Sequence, residues 1–268
     1  MKKLFMAAVL ATVVCGCNEQ KFPNVAITDG SVVVAHRGYW NCEAAGFSEN
    51  SIASLKAAQD SLCWGSECDI RLTRDGVVIV NHNKDINGKI VEEYDFEDFT
   101  GDLLPNGERR PTLDEYIEQA KVGFPGTKLI IELKSLSSEE KESLLVEKTF
   151  KALKAHGAYD PKNIIFITFS HFMCRKIATE APEFANQYLN GDIAPADLAL
   201  EGINGIDYET NVFKAHPEWI EQSRALGMST NVWTVNKPED IKYMIGLGVG
   251  AITTNCPTLA QKLIAESK

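Results

Sequence analysis

With 268 residues, 44% of them hydrophobic and 24% charged, the chain has an ordinary globular composition and suits one large domain of α/β-barrel size. A formal net charge of −10 argues against nucleic acid, and against an anionic membrane surface, as the main partner. An anionic small molecule fits only where a metal or arginines reverse the sign locally, and beyond the N-terminus no apolar run approaches the roughly 18 residues of a membrane span.

The N-terminus reads differently from the rest. Lys2 and Lys3 form a basic start, and Leu4 to Val14 is an apolar run too short to cross a bilayer. It ends in Val14-Cys15-Gly16-Cys17, which resembles the lipobox of bacterial lipoprotein signals. By that resemblance residues 1–16 are a signal peptide and Cys17 becomes the lipidated first residue. The protein is then exported and held to a bacterial membrane, on its periplasmic or cell-surface side, by that anchor alone. Loss of the two lysines takes the formal charge from −10 to −12. Cys42, Cys63, Cys68, Cys174 and Cys256 remain, an odd set without a CxxC pair. They indicate neither a disulfide framework nor a zinc site, although an oxidising compartment would permit one incidental disulfide. Residues 17–30 form a polar tether.

The domain proper, 31–268, alternates short apolar runs with helix-patterned stretches, the mark of parallel βα units. Strands are expected at Val32–His36, Glu67–Leu72, Val77–Asn81, Lys128–Leu133, Ile164–Phe169, Asn186–Leu189, Gly205–Tyr208, Thr230–Val235 and Ala251–Thr254. Ile52, Leu55, Ala58 and Leu62 fall at helical spacing behind the capping candidates Asn50 and Ser51. Val146, Phe150 and Leu153 do the same ahead of Gly157.

Nine strands exceed a TIM (β/α)8 barrel by one. Only Thr73-Arg74-Asp75-Gly76 separates Leu72 from Val77, and a parallel crossover needs about a dozen residues. The second strand therefore carries an antiparallel β-hairpin extension. If Leu72 faces Val77, Glu67 faces His82, and the hairpin returns His82 to the barrel mouth, where such barrels hold their active sites. Residues 83–110 have weak periodicity and several turn signals, and read as a small insertion over the mouth, a lid or substrate wall.

Chemistry-bearing residues collect at expected strand ends. His36-Arg37-Gly38 closes the first strand, and a guanidinium there can fork onto two phosphate oxygens, although a plain surface turn explains such a tripeptide equally well. Glu67 and Asp69 share a strand face, where carboxylates repel unless a cation lies between them or both point to solvent. Glu132 and Lys134 repeat the arrangement on the next strand, and a buried carboxylate needs a partner. Three carboxylates without a thiolate suit one hard divalent cation, Mg²⁺ or Ca²⁺. His36 and His82 read as metal ligands, core residues or an acid–base pair, the last fitting best because imidazole titrates near neutrality. The other histidines are poor candidates: His156 closes a helix, His216 lies in a loop, and His171 follows a strand end, where contact with substrate is left open.

These residues, in this order, resemble the glycerophosphodiester phosphodiesterase family. The likeness runs through His36-Arg37-Gly38, Glu49-Asn50-Ser51, Glu67-Cys68-Asp69, Leu72-Thr73-Arg74-Asp75-Gly76-Val77, His82, Arg110-Pro111-Thr112-Leu113, Glu132-Leu133-Lys134, Phe169-Ser170, Trp233-Thr234-Val235-Asn236 and Ile252-Thr253-Thr254-Asn255. Any single block is weak; the ordered set, over most of the mature chain, is not. The resemblance implies a metal at Glu67, Asp69 and Glu132. It implies acid–base catalysis by His36 and His82, phosphate binding by Arg37 and Lys134, orientation of the first-strand residues by Glu49, and a substrate wall at Trp233. Three positions depart from the family pattern: Asn83 and Asn255 stand where it has Asp, and Ser48 where it has Pro.

The implied reaction is metal-dependent hydrolysis of a glycerophosphodiester to sn-glycerol 3-phosphate and an alcohol, through direct water attack or a cyclic phosphate. A lysophospholipase-D-like phosphodiesterase uses the same groups behind a wider mouth. A non-catalytic glycerophosphodiester-binding lipoprotein would not need both histidines, and a glycosidase pairing Glu67 with Glu132 would not need Arg37 and Lys134 together. The expected partner is a small molecule, with no obligate protein partner.

Overall fold

The computed structural model describes residues 30–268, together with Phe22 and Thr28. The expected signal peptide and Cys17 lie outside the described residues. Eight parallel strands close into a barrel in the order β1 (Val32–Ala35), β11 (Ala251–Thr254), β10 (Ser229–Trp233), β9 (Gly205–Glu209), β8 (Ala185–Tyr188), β7 (Ile164–Thr168), β6 (Lys128–Leu133) and β2 (Gly65–Leu72), with β1 pairing back onto β2. The TIM barrel expected from the sequence is present, with strand ends moved by one or two residues.

Helices α1 (Ile52–Asp60), α2 (Leu113–Gly123), α3 (Glu139–Ala155), α4 (His171–Glu180), α5 (Pro195–Leu200), α6 (Thr210–Ala215), α7 (Glu218–Ala225), α8 (Pro238–Leu247) and α9 (Pro257–Glu266) surround it. Period-two alternation sorts each strand between the two sides of the barrel wall. On β6, Leu129, Ile131 and Leu133 join Leu145, Val146 and Phe150 of α3 in the outer core. Ile130 instead packs with Val34, Ile165 and Ile167 in the barrel interior. Glu132 continues that inward row, which is why an apolar-looking strand delivers a carboxylate to the barrel axis. Ser51 caps α1, and Leu62, expected on its apolar stripe, lies past the Ser61 C-cap with positive φ and is exposed.

The hairpin forms as expected but its register is one residue different. Strand β3 (Val78–Val80) pairs antiparallel to β2 with Ile70 opposite Val80 and Leu72 opposite Val78. The turn has three residues rather than four. Thr73 N donates to Val77 O at 2.9 Å, and Val77 N donates back to Thr73 Oγ1 at 3.0 Å. Gly76, at φ 81°, supplies the left-handed residue that a three-residue hairpin loop requires. Asn81 N therefore donates to Asp69 O at 2.9 Å, and Glu67 does not face His82 across the ladder. Regular alternation would turn His82 away from the barrel axis. The strand ends at Val80, and the bend that follows brings His82 into the cavity lined by Glu67.

Residues 83–110 carry more structure than their pattern suggests. Strands β4 (Asp85–Ile86) and β5 (Lys89–Ile90) form a small hairpin, and Ile86, Val91 and Phe99 bury against Ile79 of β3. The insertion thus stands on the hairpin face that Ile79 shares with Arg71, opposite the outer-core face of Val78 and Val80, and its Leu104, Pro105 and Arg110 wall a cavity beside the barrel mouth.

Candidate active site

Where β1 ends, the backbone leaves regular geometry. Arg37 has φ 55° and Gly38 φ 75°. A Cβ on Gly38 would lie 2.4 Å from Ser54 Oγ, so α1 can approach this closely only because position 38 is glycine. The left-handed Arg37 is fastened on both sides: its N–H donates to Glu67 Oε2 at 2.7 Å, and Asn50 N donates to its carbonyl at 3.0 Å. Such conformations persist where the surroundings over-determine them. The guanidinium donates to Glu49 Oε2 at 2.8 Å, while Nε is buried, without a hydrogen-bond partner, 3.6 Å from Asp69 Oδ2.

The parallel register places Asp69 directly beside Glu132 and Glu67 beside Ile130. Glu67, Asp69 and Glu132 each bring a carboxylate oxygen within 4.8 Å of the others, and all three residues are buried. Lys134 reaches into the group, with Nζ donating to Glu132 Oε1 at 2.6 Å and lying 3.0 Å from Asp69 Oδ1. Asn50, on the loop before α1, donates to Asp69 Oδ2 at 2.8 Å and accepts from Asp69 N at 3.1 Å, fixing that carboxylate from a second side.

One ammonium does not neutralise three buried carboxylates. Burial, reinforced by Asp69 and Glu132, holds Glu67 well above the usual carboxylate range. Burial and Asp69 push Glu132 up to about 7 against the pull of Lys134. For Asp69 burial also acts upward, but Lys134, His82, Asn50 and Arg37 outweigh it and hold it low. Glu67 Oε1 is buried and accepts no hydrogen bond, and Asp69 Oδ1 has only the Lys134 ammonium at 3.0 Å. An orphaned oxygen in an oxygen-only set of three carboxylates fits a hard divalent cation, and such a charge would reverse the upward shifts.

His36, Arg37, Glu67, His82, Glu132, Lys134 and Trp233 all line one cavity of about 130 Å³ at the C-terminal ends of the barrel strands. His36 Nδ1 lies 2.8 Å from Asn255 Oδ1, and His82 Nδ1 lies 3.0 Å from Asn83 Oδ1. Burial lowers both imidazoles, His36 to about 4 with Arg37 adding to the effect. Each ring therefore holds its Nδ1–H on an amide oxygen and keeps Nε2 free to accept a proton. Trp233 Nε1 donates to Asp207 O at 2.9 Å, and its ring meets Phe169 edge-on at 5.5 Å.

Asn50, Asn255 and Asp207 carry site geometry that sequence reasoning did not assign. Asp207 lines the cavity with Oδ2 accepting from Asn231 Nδ2 at 3.1 Å and Oδ1 buried without a partner. Its alternation with buried Ile206 and Tyr208 on β9 was the available signal. The remaining histidines do not line the cavity: His171 lies 3.2 Å from Glu201, His156 joins Asp114 and Glu118, and His216 stacks on Trp219. All five cysteines of the domain are free.

Residues 36–259 match the family model of the glycerophosphoryl diester phosphodiesterase family. A glycerophosphodiester phosphodiesterase of Caldanaerobacter subterraneus subsp. tengcongensis is 29% identical over 250 residues, covering 88% of this chain and 98% of its own. The crystal structure of a glycerophosphodiester phosphodiesterase from Parabacteroides distasonis superposes with a TM-score of 0.86 at 36% identity, over 90% of this chain and all of that one. At 23% identity and a TM-score of 0.75, over 87% of this chain and 96% of that one, the fold is shared by an Oleispira antarctica phosphodiesterase solved with the product sn-glycerol-3-phosphate.

Proposed function

Because the chain belongs to the glycerophosphoryl diester phosphodiesterase family, we propose that its site cleaves glycerophosphodiesters to sn-glycerol 3-phosphate and a free alcohol, with one Mg²⁺ or Ca²⁺ ion at Glu67, Asp69 and Glu132. One observation carries this reading. A buried carboxylate cluster with an orphaned oxygen on Glu67 shares its cavity with two cationic side chains and two imidazoles. A divalent ion bound there supplies positive charge to the phosphoryl oxygens.

Arg37 and Lys134 hold the phosphate, the first as a fork steadied by Glu49 and the second as a point charge steadied by Glu132. Trp233 walls the glycerol. One histidine takes the proton of the attacking hydroxyl through its free Nε2, and the other, in its imidazolium form, gives its Nε2 proton to the alkoxide oxygen as its bond to phosphorus breaks. The leader and Cys17 would place this activity outside the cytoplasm on a lipid anchor.

Turnover of glycerophosphocholine, measured with and without EDTA, tests the reading. His36→Ala and His82→Ala should keep the metal and the substrate while losing about 10²- to 10⁴-fold in rate. Wild-type binding without turnover would leave a binding lipoprotein instead. Loss of metal affinity, with normal rate in excess metal, would make the mutated histidine a ligand.

A further inference from the structure

A second cavity, of about 280 Å³, opens beside the catalytic one, and His82 lines both. Trp40, Phe47, Leu104 and Pro105 give it apolar walls, and Arg110 enters it from the end of the insertion. The Arg110 guanidinium is positioned rather than loose. Its Nε donates to Asn81 Oδ1 at 2.9 Å, and a terminal nitrogen donates to Asp102 O at 3.4 Å.

Among the described residues no carboxylate lies within 4.0 Å of Arg110. Asp102 is felt at longer range, but Asn87 Nδ2 already donates to its Oδ1 at 2.6 Å. Glu49, the acid on this wall, is taken by Arg37 at 2.8 Å. A half-buried guanidinium with a fixed fork and no counter-charge is suited to an anion that arrives with a ligand.

We propose that this cavity receives the alcohol half of the diester and that Arg110 selects alcohols bearing an anionic group, a carboxylate or a second phosphate. The inference rests on the hydrolytic reading above. With the phosphate on Arg37 and Lys134, glycerol occupies the lobe of Trp233 and Asp207, and the alcohol lies beyond His82. Water oxygen bonds to phosphorus and its proton goes to His36. The bond from phosphorus to the alcohol oxygen breaks, and that oxygen takes the Nε2 proton of His82 in its imidazolium form, leaving the ring neutral with its Nδ1–H on Asn83. Two aromatic walls would by themselves suit a quaternary ammonium, but the Arg110 charge opposes it.

The test compares wild type, Arg110→Gln and Arg110→Lys on glycerophosphoserine, bis(glycerophospho)glycerol, glycerophosphoglycerol and glycerophosphocholine, with thermal melts confirming that each variant is folded. Arg110→Gln should lower kcat/KM on the first two by about 10- to 100-fold, the loss expected for one charge-assisted hydrogen-bonding partner. The glycerol and choline substrates should change little, and Arg110→Lys should recover part of the loss. A loss on only one of the anionic pair identifies carboxylate or phosphate as the group selected. An equal loss on all four, or no loss on either anionic substrate, overturns the proposal. If wild type turns over none of them, the hydrolytic reading fails separately. Calorimetric binding of the same diesters then decides whether Arg110→Gln weakens the anionic ones alone.

Discussion

His36 and Asn255, 219 residues apart, meet at 2.8 Å between imidazole Nδ1 and amide Oδ1. Asn83 holds His82 in the same way at 3.0 Å. Both amides stand where the resembling family carries Asp, so the hydrogen bond and the tautomer are kept while a negative charge beside each ring is absent. A carboxylate in that place favours the imidazolium by charge as well as by hydrogen bond; the amide oxygen adds only the hydrogen bond, and burial prevails over it.

The consequence is a pH profile. With His36 lowered to about 4 and acting as base, its acid limb in kcat/KM should lie near pH 4. Asn255→Asp should raise the His36 pKa, and because the base must be unprotonated, the acid limb should move to higher pH. Superimposable profiles for the two proteins would remove Asn255 from any electrostatic role.

Glu67→Gln separates metal binding from folding. The folded-state pKa of Glu67 is raised, so the side chain opposes folding increasingly as pH rises above the ordinary carboxylate value. Metal-free Glu67→Gln should therefore melt above metal-free wild type at pH 8 and near it at pH 4. Added Mg²⁺ or Ca²⁺ should raise the wild-type midpoint, by about 2.7 kcal/mol of stability at one hundred times Kd, and leave the variant nearly unmoved. Equal metal-induced shifts would place the ion elsewhere.

Much of this site is legible in residue order, for two physical reasons. Same-face spacing at Glu67 and Asp69, and at Glu132 and Lys134, follows directly from the strand period, and the short link after Leu72 forces a hairpin. The hairpin register was less accessible. Whether Val77 belongs to the turn or the strand depends on Thr73 hydrogen bonding, and that single residue decides which way His82 would face. Asn50 read as a cap candidate because its contacts with Asp69 cross between elements. Asn255 read as a departure from a pattern, since nothing local reveals that it meets His36.

His156 gives a prediction about stability alone. It sits at the C-cap of α3 and clips α2 through Glu118 at 2.6 Å and Asp114 at 2.7 Å. Those two hydrogen bonds, Glu118 first, raise its pKa above the ordinary 6.5. A raised histidine stabilises the fold fully below 6.5 and loses that contribution as pH climbs through the folded-state value. His156→Gln should thus lower the melting temperature at pH 5.5 and scarcely alter it at pH 9, where both proteins lack the charge (test values on either side of about 6.5). A deficit of the same size at both values would show that packing, and not charge, is what the histidine provides.

The anchor makes the last prediction. Val14-Cys15-Gly16-Cys17 follows a basic start and an apolar run, and residues 18–30 join it to the barrel, where Phe22 packs against the core and Thr28 Oγ1 donates to Gly250 O at 3.0 Å. If Cys17 carries acyl chains, each buried CH₂ contributes about 0.8 kcal/mol to membrane attachment, so more than one chain holds the protein firmly. The barrel surface adds little, because a chain of formal charge −10 is repelled by anionic lipid. Cys17→Ala should therefore move the protein from the detergent phase to the aqueous phase on fractionation, with glycerophosphodiester turnover per molecule unchanged. Detergent partitioning that persists in Cys17→Ala would mean that something other than a lipidated cysteine binds the membrane.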